Sequence, residues 1–244
     1  MEKVNKILLV IPVYNEEKIL KSSVDKLVYF FKNYNDYDLK IVIANNGSDD
    51  DTLKIARMLS REYGEVEVFD IKEKGRGNAL KRVWMDRKFD DYRVYSYCDC
   101  DLATDVNGFP LMFEDILKGN NLVVGSRYIK GADIQRTIKR YILSKIYIFL
   151  VKLFFRTKIK DFQCGFKAVD KKIVKFILPK IKNKNWFFDS ELLLIAEKNK
   201  YKIKEIPVKW KEKRVKDSRV KLINTGINYI NELIRLKKRI GEIE

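Results

Sequence analysis

The sequence predicts an α/β fold built on a mostly parallel central sheet, and three observations carry that expectation. Five short runs rich in β-branched residues recur between residues 7 and 126, and helical stretches separate them at the spacing of βαβ units. The polar, glycine-bearing segments follow the strands, at the carboxyl edge where open α/β sheets bind ligands. At 244 residues and 46% hydrophobic content the chain can also fill a sizeable core.

The expected strands are "ILLVIPV" (7–13), "KIVIA" (40–44), "VEVFDI" (66–71), "RVYSYC" (93–98) and "NLVVGS" (121–126). Apolar runs this short and continuous suit strands covered on both faces. Helices are expected near 16–33, 51–63, 77–88 and 107–118. The second half is less regular: a helix from about 137 to 155, another over 187–200, a strand within "YKIKEIPVKW" and a final helix from about 221 to 239. In that last helix Leu222, Ile223, Ile227, Ile230, Leu233 and Ile234 fall on one face at helical spacing. No repeat, linker tract or internal boundary interrupts the chain. The N-terminus "MEKVNKILLVIPVYNEE" sets an acidic pair straight after a short apolar run, unlike a signal peptide, so the mature chain is expected to begin near Met1.

Composition removes several chemistries. With no histidine, Ser/His/Asp and Cys/His nucleophiles and any imidazole base are excluded, and Cys98, Cys100 and Cys164 lack the pairing of a zinc site. They read as buried, reduced thiols. Acid, base and metal work falls to carboxylates. The net charge of +17 is uneven: residues 127–244 carry 32 Lys/Arg against 12 Asp/Glu, while residues 1–126 carry 19 against 22. A basic half implies an anionic partner such as nucleic acid, a membrane surface or a phosphate-bearing substrate, although a solvated lysine-rich surface would account for part of it.

Nucleotide motifs narrow the field further. "GRGNAL" has two of the three glycines of a dinucleotide fingerprint and does not follow the first strand, and GxxxxGK[ST] is absent. "PVYNEE" could grip a base or ribose, or cap the following helix. "CDCD" is more informative. Along an extended backbone Asp99 and Asp101 would point the same way and Cys98 and Cys100 the other. Two such carboxylates repel unless a cation lies between them, and an oxygen-only set suits Mg²⁺ or Mn²⁺. Asp105, four residues on and just before a helix, reads as a turn or cap.

Together these motifs resemble family 2 glycosyltransferases of the GT-A fold, in the branch that glycosylates polyprenyl phosphates: the dolichyl-phosphate mannose synthases and dolichyl-phosphate glucosyltransferases. The resemblance is carried, in order, by "IPVYNEE", "IANNGSDDDT", "KGRGNAL", "CDCDLATD", "VVGSRY", "KRYILSK", "DFQCGFK", "WFFDSELL" and "DSRV", from about Ile7 to Val220. It implies a Rossmann-like GT-A catalytic unit over 1–220, with a nucleotide-sugar half (1–126) and an acceptor half (127–220), then an amphipathic helix over 221–244.

The resemblance also implies roles. Pro12, Tyr14, Glu16, Asn45 and Asn46 would hold the nucleoside of the donor, with Asp99, Cys100 and Asp101 around its diphosphate and Mg²⁺ or Mn²⁺ on the two aspartates. Arg127, Arg140 and Ser144 would bind the acceptor phosphate, Arg219 a phosphate of either substrate, and Asp161 and Gln163 would line the sugar pocket. Asp189 falls in the same pocket with a catalytic role, or is a helix N-cap. Asn45 and Asn46 replace the usual aspartate pair, which puts the base in question because an amide also donates. Ala103 replaces a glutamine common in mannose synthases, which favours UDP-glucose over GDP-mannose.

The implied reaction is a single inverting displacement by an acceptor phosphate that is already anionic. "YILSKIYIFLVKLFF" (141–155) carries two lysines and spans about 22 Å as a helix, short of the roughly 30 Å hydrocarbon core. It is expected to lie on an anionic membrane surface, placing the protein peripherally on a cytoplasmic face, or else to be a core helix with snorkelling lysines. The tail helix reads as a peripheral or homo-oligomer element. Two alternatives stand beside this reading: a soluble or glycan acceptor, and a basic nucleic-acid binder, for which no RRM, KH or helix-turn-helix signature speaks.

Overall fold

The computed structural model describes residues 5–213 and 222–241. In chain order the first half reads β1 (Asn5–Val13), α1 (Leu20–Phe31), β2 (Tyr37–Asn46), α2 (Thr52–Glu62), β3 (Val66–Ile71), α3 (Arg76–Trp84), β4 (Val94–Cys98), α4 (Phe109–Leu117) and β5 (Leu122–Ser126). The second half adds β6 (Asp133–Gln135), α5 (Ile138–Phe155), β7 (Phe166–Asp170), α6 (Lys171–Phe176), α7 (Phe188–Lys198), β8 (Ile203–Pro207), β9 (Lys209–Lys211) and α8 (Leu222–Gly241).

Among the described residues a seven-stranded sheet runs in the order β3-β2-β1-β4-β7-β5-β8, and β7 alone is antiparallel to its neighbours. The mostly parallel α/β expectation holds, and one sheet spans both halves of the chain. β1 shows why the apolar runs were continuous: Leu8 and Val10 face one core with α3 and α7, while Ile7, Leu9 and Ile11 face another with α1 and α4.

The expected strands and helices all form, within a few residues at their ends. β7 is an addition, and so is the two-stranded parallel ribbon of β6 with β9. α8 packs through Leu233 and Leu236, both buried, while Ile230 and Ile234 remain partly exposed. Arg239 pairs with buried Glu191 of α7, and the Tyr229 ring packs at a tilt against Tyr147 of α5, centroids 5.0 Å apart. The tail helix is therefore part of the core shared with α3 and α7, not only a peripheral element. All three cysteines are free and buried, as expected.

Candidate active site

The carboxyl ends of β1 and β2 are tied together by their polar turns. Asn46 Nδ2 donates to Val13 O at 2.8 Å and Gly75 N donates to Asn46 Oδ1 at 3.2 Å, while Asn45 Nδ2 donates to Asp70 Oδ1 at 2.8 Å. Both amides thus use the donor that an aspartate would lack. Glu16 N donates to Thr52 Oγ1 at 2.7 Å, and Tyr14 OH and Lys74 Nζ both reach Asp49 Oδ2, at 3.0 and 2.9 Å. Pro12 lies within β1 opposite Ala44. The expected nucleoside residues, Pro12, Tyr14, Glu16, Asn45 and Asn46, therefore share one rim.

The acidic segment departs from its expected geometry. β4 ends at Cys98, and Asp99 to Leu102 form a turn in which Leu102 N donates to Asp99 O at 3.0 Å and Leu102 takes a φ of +47°. The backbone beyond Cys98 is a turn and not a strand, yet Cys98 and Cys100 are buried in one core, on a common side as expected. Asp101 Oδ1 accepts from Ala103 N at 3.0 Å. Asp99 Oδ1 accepts from Arg76 Nε and Nη2 at 3.1 and 2.8 Å, and its Oδ2 lies directly over Gly165, where an added Cβ would stand 1.8 Å away. Asp105 caps a 3-10 turn by accepting from Asn107 N at 3.0 Å, as the sequence suggested.

Asp99 and Asp101 supply the oxygen-only donors that a hard cation such as Mg²⁺ or Mn²⁺ takes together with substrate phosphate and water. Among the described residues no three Asp, Glu, Cys or His side chains converge as a ready-made metal cage. The pair fits a cation that shares its shell with a substrate.

Arg76 is the residue that sequence reasoning missed. Its guanidinium is buried between the rings of Tyr97 and Trp186, at 4.8 and 5.1 Å, and its Nη1 donates to Asp189 Oδ2 at 2.6 Å. The signal was present in "GRG". Gly75 takes a φ of +143°, and a Cβ there would sit 2.6 Å from Lys184 O, so the glycine lets α3 begin against the 184–188 segment with Arg76 pointing inward.

Asp189, buried near the start of α7, also receives Tyr97 OH and Lys167 Nζ, the latter at 3.0 Å. Burial alone would raise its pKa, but Arg76 and Lys167 hold it below the ordinary 3.8. It does not cap its helix.

The second half of the chain gathers around Trp210 of β9. Arg127 and Arg136 each lie 5.4 Å from its ring, and Arg127 Nε and Nη2 donate to Asp161 Oδ2 and Oδ1 at 2.7 and 2.9 Å. Two residues expected in separate roles thus form one buried pair. Gln163 N donates to Asp161 Oδ1 at 3.1 Å, which sets the sugar-pocket candidates on one loop. Arg136, also missed, donates through Nη1 to Ser144 Oγ and Tyr128 OH at 2.9 and 3.0 Å, and its Nε is buried without a hydrogen-bond partner. Burial and nearby Arg127 lower its pKa. Arg140 pairs with Glu212. Arg219 lies outside the described residues.

The two halves meet. Lys211 N donates to Ala103 O and Asp105 N to Lys209 O, both at 2.9 Å, so the segment just after the acidic turn is stitched to the strand of Trp210, the ring beside Arg127 and Arg136.

Along α5 the side chains of Ile138, Ile142, Ile146, Phe149 and Leu153 form an apolar ridge, each at least 51% exposed, while Ser144, Tyr147, Ile148 and Val151 face inward. No helix among the described residues is long and apolar enough to cross a membrane.

A family model described as glycosyl transferase family 2 matches residues 8–178. Glycosyltransferase AglD of Haloferax volcanii is 30% identical over 93% of this chain, which spans only 36% of that protein. Dolichyl-phosphate beta-glucosyltransferase ALG5A of Trichomonas vaginalis is 30% identical over 93% of the chain and 72% of its own length, and the human dolichyl-phosphate beta-glucosyltransferase 30% over 84% and 67%. Among solved structures, the Mycobacterium tuberculosis glucosyl-3-phosphoglycerate synthase in complex with UDP superposes with a TM-score of 0.70 at 15% identity, over 96% of this chain and 80% of that one. That likeness speaks for a shared fold.

Proposed function

The chain belongs to glycosyl transferase family 2, and from that premise we propose that it moves a hexose from a nucleotide sugar to a polyprenyl phosphate of the dolichyl type. UDP-glucose is the favoured donor and GDP-mannose the other candidate. The relatives' beta-glucosyltransferase names and Ala103 in place of a glutamine support glucose.

The observation that carries this reading is the direct hydrogen bonding between residues 103–105, just past the acidic turn, and strand β9, whose Trp210 ring lies 5.4 Å from both Arg127 and Arg136. A carboxylate pair suited to a cation-bound diphosphate adjoins a cluster of guanidiniums suited to a second phosphate. A transfer between two phosphorylated substrates needs that pairing, because the two anions must approach one another.

The proposed roles are these. Tyr14, Glu16, Asn45 and Asn46 line the nucleoside rim at the ends of β1 and β2. Asp99 and Asp101 would hold Mg²⁺ or Mn²⁺, which when bound supplies charge neutralisation at the leaving diphosphate. Arg136 and Arg140 face the acceptor phosphate with Arg127 fixed behind them by Asp161, and Asp189 and Gln163 border the sugar. The acceptor's phosphate oxygen forms the new bond to the anomeric carbon as the bond to the nucleoside diphosphate breaks, with inversion. The attacking oxygen is already ionised, so no histidine is required.

The exposed ridge of α5 stands on the acceptor side, beside ten Lys/Arg and one acid between residues 127 and 160. It supports a peripheral position on the cytoplasmic face of an anionic membrane, where the acceptor's phosphate would meet the site.

Radiolabelled UDP-glucose or GDP-mannose, incubated with dolichyl phosphate and Mg²⁺ or Mn²⁺, should give an organic-extractable product. Failure of folded protein with both donors overturns the reading. Asp101→Ala should lower transfer by roughly a hundredfold or more while leaving the fold intact.

A further inference from the structure

Arg76 joins two carboxylates that come from opposite parts of the chain. Its Nε and Nη2 converge on one oxygen of Asp99, at 3.1 and 2.8 Å, and its Nη1 reaches Asp189 at 2.6 Å. Tyr97 and Trp186 flank the guanidinium, so the side chain has little room to turn. Trp186, on the outer face, is 47% exposed and forms the looser wall.

The two ends of this bridge are not equivalent. Asp189 has two further partners, Lys167 at 3.0 Å and the Tyr97 hydroxyl. At Asp99 the other oxygen is pressed over Gly165, and Oδ1 takes both guanidinium N–H groups. Those are the lone pairs a divalent cation would need, and a fixed positive charge beside them opposes a second cation.

We propose that Arg76 is a positioning residue that occupies Asp99 until cation and donor arrive, then stays anchored on Asp189 and holds that carboxylate against the sugar. The inference rests on the reading that Asp99 and Asp101 hold the cation. It predicts opposite effects on two measurements. Without donor, Arg76 competes with the cation; during turnover, its fork is required.

The test is Mn²⁺ binding, followed by electron paramagnetic resonance without donor, alongside steady-state kinetics of the full chain. Arg76→Gln should bind Mn²⁺ roughly threefold to tenfold more tightly than wild type, since one positive charge beside Asp99 is gone. A merely structural role would loosen the turn and weaken binding. Arg76→Lys keeps the charge but cannot fork between two carboxylates. It should bind Mn²⁺ as wild type does and lose about tenfold or more in kcat with little change in donor KM.

Unchanged or weaker Mn²⁺ binding by Arg76→Gln with a wild-type near-ultraviolet spectrum overturns the proposal, as does wild-type kcat in Arg76→Lys. The lysine variant carries the test if the glutamine variant does not fold. Asp101→Ala separates the layers. If it leaves wild-type Mn²⁺ affinity untouched, the cation reading itself has failed and this inference falls with it; if it weakens binding, the Arg76 results decide alone.

Discussion

Arg127 and Asp161 meet in a two-point ion pair: both N–H···O contacts are under 3 Å, the Arg127 amide adds a third at 3.0 Å, and the side chains are 5% and 1% exposed. The pair joins the end of β5 to the loop before β7. Removing one partner strands a buried charge, which typically costs about 3 to 5 kcal/mol. Asp161→Ala should lower unfolding stability by about that amount in a urea titration. Asp161→Asn, which can still accept, should cost less. A loss below about 1 kcal/mol for the alanine variant would mean that Arg127 finds another partner.

The same carboxylate sets an acid limit. Burial would raise the pKa of Asp161 and of Asp189, yet Arg127 in the one case and Arg76 with Lys167 in the other hold them below 3.8. A group depressed on folding contributes fully above its unfolded value and loses that contribution as pH falls through the folded value. Stability should therefore be insensitive to these groups from pH 7 to about 5, then fall below 3.8. Asp161→Asn should flatten part of that acid limb in urea midpoints measured across pH. An unaltered limb would assign the acid loss to other carboxylates.

Gly165 tests whether Asp99 needs its present seat. An added Cβ would lie 1.8 Å from Asp99 Oδ2, so Gly165→Ala must push the carboxylate away from the turn or shift β7. Transfer should drop by roughly tenfold or more, while stability changes by about 1 to 3 kcal/mol, the usual cost of a single overpacked contact. Wild-type activity in Gly165→Ala would show that the position of Asp99 is not critical.

The sheet was legible because its strands are buried on both faces and read as unbroken apolar runs, as in β1 with residues 7–11 all buried. β7 was not, because Lys167 interrupts "FKAVD" where a core residue was expected. The structure buries that lysine completely and satisfies it with Cys164 O at 2.6 Å, Tyr97 OH and Asp189. β6 and β9 are three residues each, too short to leave a period. The candidate site was readable wherever a motif is local, as in the acidic turn. Arg76 and Lys167 act through partners far away in sequence, up to 113 residues for Arg76 and Asp189, Arg136 packs beside the distant Trp210, and local pattern carries no such information. The extended backbone assumed for Asp99 and Asp101 is not present, because β4 ends at Cys98 and a turn follows.

The ridge on α5 decides between a lipid-borne acceptor and a soluble one. Ile142, Phe149 and Leu153 expose 51, 65 and 64% of their surface, and the inward residues of the same helix are already packed, so the ridge adds nothing to the folded monomer's core. Inserted into a lipid interface, each such side chain would gain about 1 to 2 kcal/mol. The lysines and arginines around it would add about 1 kcal/mol each near an anionic leaflet, screened by salt. Phe149→Glu combined with Leu153→Glu should weaken flotation with anionic vesicles by roughly tenfold or more, while shifting unfolding stability by no more than about 0.5 kcal/mol. Raising salt should weaken wild-type binding further but leave an apolar remainder. Transfer to a short, water-soluble polyprenyl phosphate analogue should survive in the double variant, because under the proposed function the ridge serves the lipid surface and not the reacting atoms. Failure of wild-type protein to float with anionic vesicles at moderate salt would move the assignment to a soluble or glycan acceptor and leave the acidic turn with its donor role.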